Sequence, residues 1–309
     1  MKGPVRYRSI LYFDAVRRHG SIREAARQLG VAASAVNRQL LQYEKDVGMP
    51  LFDRFANGMK LTAAGEVFAR HAITVLQDAK RAADELDDLR GLRRGEISIV
   101  TVESLNATVL PSLLATMAQR YPGIKLAVRT AGSNLIPEIV ADGTVDVGLA
   151  FSLSHHAELQ QLGVGRYRLG AVMRADHPLA REKQVTLSDC ALHPVILPTA
   201  GISVHTVLAP HLARFKGKLR VAAEVDSMEL MKTLTLALSA ISFQTRLGLE
   251  SELRARKLVH VPLQATGPLT TDLGVYVRRG RTFPPAVDAF VALAREFLES
   301  TPAARRKGS

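Results

Sequence analysis

Residues 25–66 read AARQLGVAASAVNRQLLQYEKDVGMPLFDRFANGMKLTAAGE, and this stretch decides how the N-terminal region folds. Val36, Leu40, Tyr43 and Val47 recur at spacings of 4, 3 and 4, which places them on one buried stripe of a helix. The opposite face carries Ser34, Asn37 and Arg38. Upstream, Gly30 supplies a turn, and Ala25, Ala26 and Leu29 lie on a preceding helix whose small residues allow close approach. Ser21 and Glu24 have capping-box spacing, in which each side chain satisfies a backbone amide of the other. Further back, residues 8–19 place Ile10, Leu11, Phe13, Ala15 and Val16 on apolar faces, and Gly20 is a helix stop. Downstream, Asn57-Gly58 between Leu51-Phe52 and Leu61 is a strong two-residue hairpin signal, with Arg54 and Lys60 on its arms.

Helix, glycine turn, helix is the geometry that presents a second helix to the DNA major groove. There an arginine can pair with guanine and an asparagine with adenine, while cations on a β-wing lie along phosphates. Spacing alone leaves open a three-helix interaction domain with a solvated polar face. The cationic hairpin favours DNA.

Charge points the same way. The 309 residues carry a formal net charge of +12. Residues 1–60 hold 11 Lys/Arg against 5 Asp/Glu, whereas residues 61–90 hold 4 against 6. The positive charge is therefore densest where the helix-turn-helix is read, as a polyanionic partner requires. The single cysteine, Cys190, excludes an internal disulfide and any multi-cysteine zinc site. The start MKGPVRYRSI lacks a long apolar core, and no run approaches the ~18 apolar residues of a membrane helix. A soluble, cytoplasmic protein is expected.

From Thr62, an N-cap candidate, a helical pattern runs to about Leu89. Phe68, Ala72, Val75, Ala79, Ala82, Leu86 and Leu89 step by alternating 4 and 3, the a/d seam of a coiled coil. A homodimer through this helix is expected. The alternative is a helix packed on its own domain. Gly91 and Arg93-Arg94-Gly95 then read as a hinge.

Beyond it, strand and helix patterns alternate. Strands are read at 96–102, 124–130, 145–151, 194–197, 219–225, 241–243, 259–263 and 273–278. Helices are read up to Tyr121, over 133–142, after Ser203, from Ser227 and over 284–299. This predicts two α/β lobes around a cleft, lobe one from 91–165 and 267–300 and lobe two from 166–266. The tail 301–309 is basic. In such sheets ligands sit beyond strand ends, near helix N-termini. Three segments qualify: Ser104; Gly132-Ser133-Asn134; and Pro198-Thr199-Ala200-Gly201. Each can equally cap a helix for structural reasons alone. Glu103 weighs against a strongly anionic ligand unless it faces away, and no Lys or Arg lies within the three loops.

The pattern of residues 25–66, from Ala25-Ala26 through Leu51-Phe52 and Arg54 to Leu61-Thr62 and Ala64-Gly65, closely resembles the DNA-binding domain of LysR-type regulators. The resemblance implies that Ala33, Ser34, Asn37 and Arg38 occupy base-reading positions and that Arg54 and Lys60 belong to the wing. It also implies a winged helix-turn-helix over 1–61, a linker and dimerisation helix over 62–90, and a homodimer or homotetramer. Ala32, Ala33 and Asn37 depart from the usual family residues, which bears on the DNA sequence read. Ser104, Leu110-Pro111, Pro122 and Leu126, then Gly132-Ser133 and Val145-Asp146-Val147-Gly148-Leu149, are similar to the family's effector domain, which has a periplasmic-binding-protein-like fold. The similarity implies effector contacts from Ser104, Ser133, Phe151, Pro198, Thr199, Gly201 and Ile202, with a small organic acid or related metabolite as effector. The family commonly has Gly-x-Gly where this chain reads Leu238-Ser239-Ala240-Ile241, a change expected to narrow the pocket or alter close backbone approach.

The alternative of another class is a DNA-binding module fused to an enzyme. The chain has no Gly-rich phosphate loop, HExxH or G-x-S-x-G. His155-His156 reads as solvated loop and Cys190 as a packing residue. No cofactor, metal or catalytic residue is expected.

Overall fold

The computed structural model describes residues 7–89, 95–153, 156–215 and 217–300. The chain divides into two compact units between Leu86 and Asp87. The expected hinge residues 91–94, His155 and the basic tail 301–309 lie outside the described residues.

The first unit contains α1 (Tyr7–His19), α2 (Ile22–Leu29), α3 (Ala33–Val47), the hairpin β1 (Phe52–Phe55) and β2 (Gly58–Leu61), and most of α4 (Ala63–Leu89). Its core joins Ile10, Phe13, Val16, Ala25, Ala26, Val36, Leu40, Tyr43, Leu51 and Phe52. Gly30 ends α2 at φ +64°, the left-handed region that glycine enters without penalty. The capping box forms only by half. The Glu24 amide reaches Ser21 Oγ at 3.4 Å, but the Glu24 carboxylate turns to the Arg27 guanidinium at 2.6 Å.

The start of α4 shows why Leu61-Thr62-x-x-Gly65 is needed. Thr62 Oγ1 donates to the Pro50 carbonyl at 2.7 Å and accepts from the Gly65 amide at 3.0 Å. A side chain on Gly65 would run into the Leu51 carbonyl. The seam then divides. Phe68 sits edge-on to Phe13 at 4.7 Å and tilted to Tyr43 at 4.8 Å, and Ala72 and Val75 pack on the same core. Ala82 and Leu86 are exposed. The N-terminal half of the seam therefore serves its own domain, because the α1–α3 face leaves a slot that Phe68 fills.

The second unit threads twice between two lobes. Lobe one starts with β3 (Gly95–Thr101), α5 (Val109–Arg120), β4 (Ile124–Thr130), α6 (Ile136–Ala141), β5 (Val147–Phe151) and β6 (Leu159–Arg168). Lobe two follows: β7 (Gly170–Arg174), β8 (Val185–Thr186), α7 (Leu187–Cys190), β9 (Pro194–Pro198), α8 (Ser203–Leu212), β10 (Arg220–Val225), α9 (Met228–Ala237), β11 (Ser242–Gln244), α10 (Glu250–Arg254) and β12 (Leu258–Gln264). The chain returns through β13 (Thr270–Arg278) and α11 (Pro285–Ser300).

Lobe one's sheet runs β4-β3-β5-β13-β6, with β3 parallel to β4 and β5, and β13 antiparallel to β5 and β6. Lobe two holds β11-β7-β12-β8 and the pair β10-β9, linked by a bridge between Val195 and Ile241. Because β6 belongs to lobe one through Arg168, the chain crosses at Leu169, three residues beyond the expected lobe boundary. The helix expected from Ser133 starts at Ile136. Pro137 at its first turn has no amide to give an earlier turn, and the Leu135 amide closes a tight turn onto the Gly132 carbonyl at 2.9 Å. At the Gly-x-Gly departure, Ser239 takes φ +48° and Ala240 and Ile241 are fully buried. None of these residues lines the cleft described below, so the pocket is not narrowed there.

Candidate DNA interface and effector cleft

Helix α3 buries Val36, Leu40 and Tyr43 and turns Ser34 and Arg38 to solvent, with Ala33 and Asn37 half-buried at its N-terminal end. Its N-cap, Ala32, has an extended backbone and no side-chain cap. The wing is held from behind. Glu44 Oε1 accepts from the amides of Leu51 and Phe52 at 2.8 and 3.1 Å, and the Met59 amide donates to the Gly20 carbonyl at 2.8 Å.

Arg54 Nη1 donates to Asn37 Oδ1 at 3.1 Å. The wing arginine and the recognition-helix asparagine thus form one polar patch. Lys60 stands over the Phe55 ring, 5.7 Å from its centre. Arg38 is exposed and makes no ion pair among the described residues, which leaves its fork of donors available.

The second unit contains a cleft of about 760 Å³ between its lobes. Lobe one contributes Ser104, Thr130, Ser133 and Phe151, and lobe two contributes Gly201, Ile202, Ser203 and Thr245. Ser133, Ser203 and Thr245 are buried. Ser104 lies in one turn of 3-10 helix after β3, and Ser133 in the turn before α6. Pro198 and Thr199 are not at the wall. Pro198 is buried at the end of β9, and the Thr199 amide pairs with the Val225 carbonyl at 2.9 Å. That pairing turns the peptide toward β10, so Ser203 reaches the cleft in their place. Ser203, Thr130, Asn106 and Thr245 were missed by sequence reading. Only position at a strand or helix end could have flagged them.

Glu103 lines the cleft, but its carboxylate is engaged at the lobe junction. Its carboxylate accepts from Ser227 Oγ at 2.9 Å and from the Met228 amide at 2.6 Å, so lobe one caps α9 of lobe two. Across the cleft, a Cβ on Gly132 would lie 3.1 Å from the Gly201 carbonyl oxygen. The lobes thus approach at two places. No Lys or Arg lines the cleft among the described residues, and its polar wall is made of hydroxyls, amides and the carboxylates of Glu103 and the exposed Asp226. Cys190 is fully buried in the lobe-two core, and burial pushes its thiol up to about 12, so it is inert packing. His156 contacts Glu138 at 3.5 Å, at a second hollow of about 330 Å³. No helix among the described residues is long and apolar enough to cross a membrane.

A winged helix-turn-helix followed in the same chain by a two-lobed α/β ligand cleft defines a ligand-responsive transcription regulator. Residues 90–299 match the LysR substrate binding domain, and residues 7–66 match the bacterial regulatory helix-turn-helix protein, lysR family. The chain belongs to the LysR family of transcriptional regulators. It is 27% identical over 299 residues, 96% of each chain, to a RuBisCO operon transcriptional regulator of Allochromatium vinosum. It is 28% identical over 293 residues to the regulator CbbR of Rhodospirillum rubrum, covering 94% of this chain and 96% of that one. Full-length OxyR of Pseudomonas aeruginosa shares the fold at a TM-score of 0.74 and 15% identity, over 95% of both chains. CbnR, solved in complex with its target DNA, aligns at a TM-score of 0.52 and 22% identity over 94% of this chain and 99% of that one.

Proposed function

We propose that this regulator reads its operator with Ala33, Ser34, Asn37 and Arg38 and holds the phosphates with Arg54 and Lys60. Its effector is a small polar metabolite bound in the inter-lobe cleft by Ser104, Ser133, Gly201 and Ile202, against Phe151, with Thr130, Ser203 and Thr245 added by the fold. The domain limits proposed are those of the sequence reading, with the lobe crossing moved to Leu169. A cytoplasmic homodimer through the exposed C-terminal half of the α4 seam completes the reading, and the protein works by binding alone.

The observation that carries it is the cleft itself: hydroxyls from both lobes converge on a space of ligand size, with the Glu103 carboxylate bonded across the lobe junction. A ligand contacting both lobes stabilises the arrangement in which they approach. Two effector domains of this fold, at 15% and 19% identity, were solved with shikimate and with 2-PG, which supports a small organic acid or related metabolite. A thermal-shift screen of small carboxylates and polyols on the whole chain tests the site, because a ligand of the native state raises the melting temperature. Ser133→Ala should weaken the hit by roughly 0.5–3 kcal/mol, the span from neutral to charged hydrogen bonds. A hit whose affinity is unchanged in Ser104→Ala and Ser133→Ala places the effector elsewhere.

A further inference from the structure

Apart from the inter-lobe cleft, the second unit has a separate hollow of about 560 Å³. Thr108, just before α5, lines it from lobe one, and Arg246, Glu250, Leu253 and Arg254 line it from lobe two. Its charges are unbalanced by what the acids already do. Glu250 Oε2 accepts from the Gly248 amide at 3.0 Å. Glu252 is engaged by Lys232 at 3.0 Å and by the Ser251 hydroxyl at 2.7 Å. Arg254 makes one bond, from Nε to the Glu250 carbonyl at 3.2 Å, and neither Arg246 nor Arg254 has a carboxylate partner among the described residues. Thr108 Oγ1 is buried, with no hydrogen-bond partner among the described residues. A buried hydroxyl without a partner is uncommon in native proteins.

We infer that this hollow is a second ligand site, for a phosphate-class oxyanion held between Arg246, Arg254 and the Thr108 hydroxyl. Guanidinium forks match the oxygen spacing of phosphate, and a hydroxyl supplies the remaining donor. The site is built from both lobes, so occupancy bears on how they meet. The contact that carries this is short. Gly248, at φ +86°, is packed so tightly that a Cβ would lie 2.7 Å from the Ser104 carbonyl oxygen. Ser104 is itself a wall of the effector cleft. Adjoining the cleft is a void of about 20 Å³, its lining including Glu103, Ser104, Gln244 and Gly248, enough for one water. The Gln244 amide nitrogen beside it is buried without a partner. A ligand that pulls Arg246 and Arg254 toward Thr108 moves the 246–250 turn against Ser104, so the two sites share one wall. This inference stands apart from the identity of the cleft effector.

The test uses the full chain with inorganic phosphate in one arm and glycerol phosphate in the other, at constant ionic strength set by chloride. Calorimetry should show saturable binding of at least one, and the arms distinguish free phosphate from a phosphate ester. The double variant Arg246→Gln, Arg254→Gln should lose at least tenfold in affinity, and Thr108→Val several-fold, while Ser133→Ala binds as the parent does. Hydrogen exchange places the ligand independently of any variant's folding. Phosphate should slow exchange in residues 104–108 and 246–254. The inference is overturned if neither probe binds, if the arginine variant binds as well as the parent, or if protection appears only in residues 33–60, where the helix-turn-helix would also attract phosphate.

Discussion

At the scale of single residues, the recognition helix begins with a defect. Ala32 holds the N-cap backbone conformation but offers no side-chain acceptor to the first amides of α3. Ala32→Ser supplies one, and N-cap exchanges of this kind are worth about 1 kcal/mol. Denaturant unfolding should show the variant more stable by that amount, with unchanged slope. An equal or lower midpoint would mean that the orphan amides already have partners. Sequence comparison with the family pointed at this position, and the backbone shows why the departure costs stability without altering the helix. Other residues were less legible. That Arg54 joins Asn37 could not be read, because it depends on where a hairpin folds back over a helix seventeen residues earlier.

At the scale of elements, the helix-turn-helix was legible because its signals are local: an apolar stripe, glycine stops and an Asn-Gly turn. The limits of local reading show at α4. A seam with period 3.5 looks the same whether it meets a partner helix or the helix's own domain, and here it does the latter at Phe68, Ala72 and Val75. The two halves should respond differently to mutation. Phe68→Ala removes a core ring and should cost about 3–5 kcal/mol of stability. Leu86→Asp, at an exposed position, should leave the melting temperature of dilute protein nearly unchanged and weaken self-association in sedimentation. Undiminished association would assign the dimer to other surfaces.

The patch of Arg54 and Asn37 makes a further distinction at this scale. Arg38→Ala should cost about 1–3 kcal/mol on the cognate operator and relax one base position, whereas Arg54→Ala should weaken binding to all sequences and lower the salt slope by about 1. If Arg54→Ala instead relaxes base preference, its bond to Asn37 is positioning a reading side chain, and fluorescence anisotropy on a panel of single-base operator variants will show it. In lobe two, the short elements β8, α7 and α10 went unread. Four-residue segments such as Leu187–Cys190 carry too little periodicity to stand out, although Thr186 and Asp189 form a full capping box there.

At the scale of the whole molecule, stability should depend on pH through a group that no functional reading requires. Burial, aided by the nearby charge of Arg246, lowers His260 to about 4. In the unfolded chain a histidine titrates near 6.5, so between those values the unfolded state binds the proton that the folded state refuses. The stability held by the neutral ring is complete above about pH 6.5 and is lost as pH falls toward 4, on the order of 3 kcal/mol in all. Urea titrations from pH 7 to pH 4 should show that decline, and His260→Gln should flatten it. A variant with the same decline would assign the pH dependence to other groups. The lobe count and cleft were legible from strand and helix alternation. The lobe limits were not, because β6 runs from Leu159 to Arg168 as one strand through the place where the reading changed lobes.

The return of the chain through β13 has a consequence for how the protein is made. β13 lies between β5 and β6 within the lobe-one sheet, yet it follows every other described strand in chain order. During translation, lobe two has all of its strands once β12 has left the ribosome, while β5 and β6 still lack the strand that joins them. At ribosomal speeds of about 5–20 residues per second, residues 265–300 take several seconds more. For that interval two unpaired strand edges, one on β5 and one on β6, stand open. A nascent chain stalled or cut short before Thr270 should therefore be a chaperone client, with a finished lobe two tethered to a half-built lobe one.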